Sequence, residues 1–323
     1  MRFVAAPHGT QSYPSGKPEL VIPAGSEEAL HAAIEGGADA VYLGGEVFSL
    51  RAKAHNFALP EMKAAVDIAH NAGRKVYVTV NAFVHEDGLK EASRFLEALN
   101  EVAPDALIVA DTGVFMMARR LCPALPVHIS TQANNVNHET FLFWYDLGVR
   151  RIVAARELSL DEIAQIKRVI PEDMEIECFV HGAMCMAYSG RCHLSKYLTG
   201  RDANEGFCTQ SCRWNYTVME EKRPGQYLPV SEDLSGTQIF ASEDLCMVTH
   251  IPELVAAGVD AFKIEGRTKT ATYVTKVTEV YREAIDTYCA DPESYARAIP
   301  SYLAALEKGA SRPFSTGFYF HAP

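Results

Sequence analysis

The sequence predicts an α/β protein of the (β/α)8, TIM-barrel-like class, and three observations carry that reading. Short apolar runs alternate with amphipathic segments along the 323 residues, the order expected of βα units around a parallel sheet. A helical pattern that stops at a glycine and passes at once into the next apolar run recurs three times. Finally, 48% hydrophobic content lets a chain of this length bury a barrel-sized core. A doubly wound open sheet with a second domain would also alternate. No GxGxxG follows the first strand, however, and Pro23-Ala24-Gly25-Ser26 reads as a tight turn into a helix, not a dinucleotide fingerprint.

Eight runs are short and apolar or β-branched enough to be strands buried on both faces: Glu19 to Ala24, Ala38 to Gly44, Lys75 to Asn81, Asp105 to Asp111, Val127 to Gln132, Arg151 to Arg156, Glu175 to His181 and Asp260 to Glu265. Between the first two, Ser26 is a natural N-cap for a helix to Glu35, which Gly36-Gly37 ends. Helices over Leu59 to Ala72, Asn137 to Leu147 and Ser242 to Ala257 stop at Gly73, Gly148 and Gly258.

One interval breaks the period. The seventh strand ends near His181 and the next helical pattern starts near Ser242, about sixty residues where a βα loop ordinarily takes two to six. The expected organisation is an N-terminal tail over 1–17 and one barrel over 18–323, with 182–241 as an insertion. Loops that follow barrel strands gather at the C-terminal face, so the insertion is expected to roof the mouth.

The insertion holds Cys185, Cys192, Cys208 and Cys212, with six, fifteen and three residues between them. The N-terminus lacks the apolar core of a secretory signal and no run of roughly eighteen apolar residues occurs. That pattern points to the cytoplasm, without a membrane span, where clustered thiols more often hold metal than form disulfides. Zinc sites pair cysteines two to four apart in each half, which the first half here does not do. Irregular spacing suits an iron–sulfur cluster better, with zinc and unligated thiols as the alternatives. Cys178 alternates with Ile176 and Val180 and reads as a core residue; Cys122, Cys246 and Cys289 stand alone.

The residues then carry a resemblance. Glu177-Cys-Phe179-Val-His-Gly182-Ala-Met-Cys185 and Gly190-Arg-Cys192-His-Leu-Ser195 resemble the signature of peptidase family U32, the collagenase-like proteins of unassigned catalytic type. Pro23-Ala24-Gly25, Gly36 to Tyr42, Ser130-Thr-Gln132 and Lys263-Ile-Glu265-Gly266-Arg267 extend the likeness along most of the chain. Within the family, Tyr188 to Cys192 and Cys208-Thr-Gln-Ser-Cys212-Arg213-Trp214 are most similar to the branch that hydroxylates the wobble uridine of transfer RNA (tRNA) with prephenate. The resemblance implies a 4Fe-4S cluster on Cys185, Cys192, Cys208 and Cys212. It also implies 5-hydroxyuridine formation, with tRNA and a small-molecule co-substrate as partners. Relatives in oxygen-independent ubiquinone hydroxylation or rRNA cytidine hydroxylation share the fold, so an iron–sulfur subunit of such a complex, with a protein partner, is a further reading. Many members carry an additional C-terminal β-rich domain.

Proteolysis finds little support in the residues. There is no HExxH or GxSxG, and four thiolates would close a metal site without leaving a position for water. For a hydroxylase, polar residues at strand ends are the candidates: His181, Glu265 and Asp111 as acid–base groups, and Asn81, Gln132, Arg156 and Arg267 for substrate, joined by Arg213 from the insertion. Arg156 and Arg267 are the choices for the carboxylates of prephenate, because a guanidinium fork binds carboxylate bidentately. A net charge of −11 argues against RNA binding through a global basic field. Any RNA contact is therefore local, and Arg191, Lys196, Arg201, Arg213, Lys222 and Arg223, interleaved with Tyr188, Tyr197, Phe207, Trp214 and Tyr216, supply cations and stacking surfaces in the insertion. Asp202, Glu205, Glu220 and Glu221 partly offset that charge.

Overall fold

The apolar runs form strands that close into a ring. In the computed structural model, which describes residues 16–50, 56–185, 192–214, 217–219, 225, 227–229, 243–310 and 312–320, the first seven are β1 (Glu19–Pro23), β2 (Ala40–Gly44), β3 (Lys75–Val80), β4 (Ala106–Val109), β5 (Val127–Ile129), β6 (Arg151–Val153) and β7 (Glu175–Ala183). Two short strands, β8 (Thr217–Met219) and β9 (Tyr227–Pro229), pair antiparallel as a separate sheet within the insertion. β10 (Asp244–Cys246), β11 (Ala261–Ile264) and β12 (Phe314–Ser315) follow. Consecutive strands β1 to β7 pair in parallel, and β11 pairs in parallel with both β1 and β7, so eight strands make a closed TIM-barrel-like sheet.

Helices α1 (Glu27–Glu35), α2 (Leu59–Asn71), α3 (Leu89–Val102), α4 (Thr112–Leu121), α5 (His138–Asp146) and α6 (Leu160–Val169) fill the successive crossovers. Ser26 caps α1 by accepting from the Ala29 amide at 3.2 Å, as its sequence position predicts. The main apolar core lies between this helical ring and the outer strand faces, with Leu30, Met62, Leu96, Phe141 and Tyr281 almost fully enclosed.

The helix expected over Ser242 to Ala257 is not one element. Asp244, Leu245 and Cys246 form β10, antiparallel to the end of β7, and only α8 (Ile251–Ala256) is helical. Tertiary pairing overrides the helical pattern, because the extension of β7 past the barrel offers a free edge that Asp244–Cys246 and then β12 cover. Two longer helices, α9 (Ala271–Ala290) and α10 (Pro292–Glu307), complete the wall after β11.

The barrel interior is charged at the end where the strands begin. Arg151 Nη1 lies 2.6 Å from Glu19 and 3.4 Å from Glu177, and its Nε lies 2.6 Å from Glu175. Lys263 Nζ bonds Glu177 at 2.6 Å, while Lys75 at 2.8 Å and the Tyr77 hydroxyl at 2.6 Å complete the shell of Glu19. Burial opposes ionisation of Glu19, yet the Arg151 and Lys75 cations hold its carboxyl well below the usual range.

Candidate active site at the barrel mouth

Above this ionic floor, at the carboxyl ends of the strands, a small cavity of about 40 Å³ is lined by Tyr42, Thr79, Asn81, Ser130, Gln132 and Arg156 together with Phe179, Lys263, Glu265 and Arg267. The barrel therefore brings together Asn81, Gln132, Arg156, Glu265 and Arg267 from the sequence-derived candidates. Asn81 accepts from the Leu50 amide at 3.2 Å and donates to Gln132 Oε1 at 3.3 Å; Ser130 also donates to that oxygen. Arg267 is held by Ser49, by Thr79 at 2.9 Å and by Asn56 at 2.6 Å, so three neutral oxygens fix its fork. The turn that delivers it needs Gly25, since a Cβ there would lie 1.8 Å from the Arg267 carbonyl oxygen.

Arg156 differs. It is 8% exposed, it has no carboxylate within ion-pair distance among the described residues, and its Nε has no hydrogen-bond partner. Its contacts are the Phe179 ring, 4.3 Å away, and Cys185 Sγ, 3.5 Å from Nη1. A buried guanidinium without a counterion is costly unless an anion arrives to meet it.

Lys263 and Tyr42 were not among the candidates. Lys263 points inward beneath the cavity, 4.3 Å over the Tyr42 ring, and burial pushes its ammonium below the usual lysine range despite Glu177. The signal was legible: Glu265 faces the mouth, and stepping back two residues along a strand reaches the same face at Lys263.

The structure places other candidates elsewhere. Asp111 caps α4, accepting from the Gly113 and Val114 amides at 2.7 and 3.0 Å, and does not line the cavity. His181 lies outside the barrel wall. The register slips between Lys263 paired with Phe179 and Ile264 paired with His181, so an extra residue on β7 turns His181 to the outer face with Ile264. There it contacts Tyr281 and Phe314, and burial together with Lys269 lowers its pKa to about 3, which leaves the ring neutral at physiological pH. Gly182, at φ +102°, follows immediately; a Cβ there would meet the Glu265 carbonyl oxygen at 2.5 Å. The side chain of Arg213 lies outside the described residues, as do Tyr188, Arg191, Tyr216, Lys222 and Arg223.

The insertion does cross the mouth. The Asn204 carbonyl accepts from the Phe83 amide at 3.1 Å, Glu205 reaches His85 at 3.1 Å, and Gly206 packs against the Ser49 backbone. Its short helix α7 (Leu194–Thr199) is tied to the Cys208–Cys212 segment by Ser195, Thr209 and Ser211, whose hydroxyls are linked at 2.9 and 2.6 Å. Cys185 is exposed and Cys192, Cys208 and Cys212 are half-buried; no disulfide links any of the eight cysteines. Cys208 Sγ accepts from the Gln210 amide at 3.4 Å. Among the described residues, no group of three or more His, Cys, Asp or Glu side chains is close enough to hold a metal ion. The donor set nevertheless fits an iron–sulfur cluster: four soft sulfurs on loops, two of them already accepting N–H bonds of the kind that steady ligand sulfur. No helix among the described residues is long and apolar enough to cross a membrane.

Fold and site together define a TIM-barrel-like protein whose mouth is roofed by a thiol-bearing insertion. The chain belongs to peptidase family U32, whose profile matches residues 25–323. It is 41% identical over 307 residues to tRNA hydroxylation protein P1 of Bacillus subtilis, across 95% of this chain and 72% of that protein. It is 39% identical to the 23S rRNA 5-hydroxycytidine C2501 synthase of Escherichia coli, across 87% of this chain and 41% of the relative. Among solved structures, a U32 peptidase superposes with a TM-score of 0.50 at 16% identity, covering 80% of this chain and 97% of that one, a likeness of fold.

Proposed function

We propose that this chain is an iron–sulfur enzyme of RNA hydroxylation that acts at C5 of the wobble uridine of tRNA, with prephenate as co-substrate. The observation that carries the reading is Arg156, a buried guanidinium without a carboxylate partner, placed between the mouth cavity and Cys185. A dicarboxylic co-substrate supplies the anion this position lacks. The names of the two relatives support RNA hydroxylation as the reaction class.

Cys185, Cys192, Cys208 and Cys212 would hold a 4Fe-4S cluster, which when bound supplies one-electron transfer beside the mouth. Arg156 binds a carboxylate, Arg267 frames the opposite wall, and Asn81 and Gln132 offer amide groups to polar substrate atoms. Glu265 and Lys263 are the titratable groups placed to hold or move a proton at the cavity. The cavity has room for only a few waters, so a ring-bearing acid enters by widening it. On the insertion, Tyr197, Phe207 and Trp214 are exposed and available to stack on unpaired bases.

Among the described residues, peptide hydrolysis at this mouth lacks a nucleophile–base pair: the Ser130 hydroxyl is engaged by Gln132, and Asp111 is spent on a helix cap. The test is to purify the protein anaerobically, where about four iron and four sulfide per chain are expected, and to sequence modified nucleosides from a strain lacking the gene. Loss of 5-hydroxyuridine derivatives supports the assignment. Unchanged tRNA nucleosides with a lost rRNA hydroxycytidine would move the substrate to ribosomal RNA, and no change in either would overturn it.

A further inference from the structure

A second and larger cavity, of about 350 Å³, lies outside the barrel wall between the end of β7, the start of α9 and the end of α10. It does not share a lining residue with the mouth cavity. Its walls divide by chemistry. Val277, Ala305, Leu306, Phe314 and the Tyr273 ring form an apolar side, while Lys269, Lys276 and Lys308 approach from the rim. None of these lysines has a carboxylate within ion-pair distance among the described residues, and Asp244, the acid on this wall, is 3.6 Å from Arg312. Thr270 caps α9, a 20-residue helix whose first-turn amides and dipole also favour an anion at this end.

The floor carries a group unused at the mouth. His181 is 3% exposed and lines this cavity. The Tyr281 hydroxyl donates to the Val180 carbonyl at 2.7 Å, so toward His181 Nδ1, 3.5 Å away, it is left as an acceptor. That assigns the proton to Nδ1 and leaves Nε2 as an acceptor without a hydrogen-bond partner among the described residues. With His181 lining the cavity, that nitrogen is open to a donor from whatever occupies the space.

We infer that this cavity is a binding site for a small organic acid that carries an apolar ring and a hydroxyl: the ring against Phe314 and Leu306, the carboxylate toward Lys269, Lys276 and Lys308, and the hydroxyl donating to His181. The volume suits a single-ring acid. The inference stands independently of the reaction assigned to the mouth.

Calorimetric titration of the full chain with 4-hydroxyphenylacetate tests it. Saturable one-site binding is expected. Tyrosol, which keeps ring and hydroxyl but lacks the charge, should bind weaker by about tenfold or more, the scale of one charge-assisted contact. Phenylacetate, without the hydroxyl, should also bind more weakly than the parent probe. The double variant Lys276→Glu/Lys308→Glu, both at exposed positions, should weaken binding by a similar factor, and the milder Lys308→Gln is read in its place if the double variant does not fold. Arg156→Lys should leave binding unchanged. No saturable binding up to roughly 10 mM, equal affinity for the charge-reversed variant, or loss of binding in Arg156→Lys would each overturn the inference, the last by placing the probe at the mouth.

Discussion

Arg151 opens β6 and Arg156 lies three residues past its end, and both are nearly fully buried, yet their surroundings are opposite. Arg151 is held by Glu19, Glu175 and Glu177 at the closed end of the barrel, whereas Arg156 at the open end meets an aromatic face and a thiol. The difference separates a cation whose partners belong to the fold from one whose partner must come from outside. A saturated buried pair is a structural unit, in which loss of either member strands the other charge. An unsaturated one is tolerated only where function fills it.

The largest expected effect falls on the saturated end. Arg151→Met leaves Glu19 and Glu177 buried without their shared cation and should lower the unfolding free energy by about 3–5 kcal/mol in denaturant titration. Arg156→Lys should cost less than about 1 kcal/mol by the same measurement, since no partner is stranded. Its effect appears in activity: kcat/KM for tRNA hydroxylation should fall on the order of a hundredfold, because an ammonium cannot reproduce the bidentate fork. Equal stability losses for the two variants, or full activity in Arg156→Lys, would erase the distinction.

The same contrast explains what the sequence made legible. All eight strands are visible as apolar runs because parallel strands are buried on both faces, and the mouth candidates Asn81, Gln132, Arg156, Glu265 and Arg267 follow from strand ends alone. His181 sits at a strand end too, but a single-residue slip against β11 reverses its face, and such a bulge leaves no mark in the hydrophobic pattern. Asp111 is a strand-end acid whose other identity, helix N-cap, depends on where the next helix begins. The ionic floor is not legible because Glu19, Arg151 and Glu177 are far apart in sequence, and their pairing exists only once the ring closes around them.

His181 offers the next test. Its folded pKa near 3 lies below the value of about 6.5 expected of the unfolded chain, so between those values the unfolded state binds the extra proton and stability rises with pH. That contribution is complete above about pH 6.5 and is lost as pH falls toward 3. Relative to His181→Gln, the wild-type chain should lose about 2 kcal/mol more stability between pH 7 and pH 5. Parallel stability–pH curves for the two proteins would show that the ring is not held neutral, and the outer placement of His181 would lose its energetic consequence.

The smallest effect concerns the insertion against the helical ring, two surfaces that both expose aromatic side chains. Trp214 is 47% exposed beside Cys212, while Phe143 on α5 is 56% exposed with its edge against Trp144. Exposure alone would make them equivalent. Only Trp214 stands on the insertion that crosses the mouth, so only it can stack on a base whose neighbour enters the barrel. Trp214→Ala should weaken tRNA binding by about 1 kcal/mol, the low end for a stacked base, as read by filter binding at fixed salt; Phe143→Ala should leave it unchanged. Salt dependence sharpens the comparison further, because stacking carries no counterion release: Trp214→Ala should shift the binding line without altering its slope, whereas replacing a phosphate-contacting cation would reduce the slope itself.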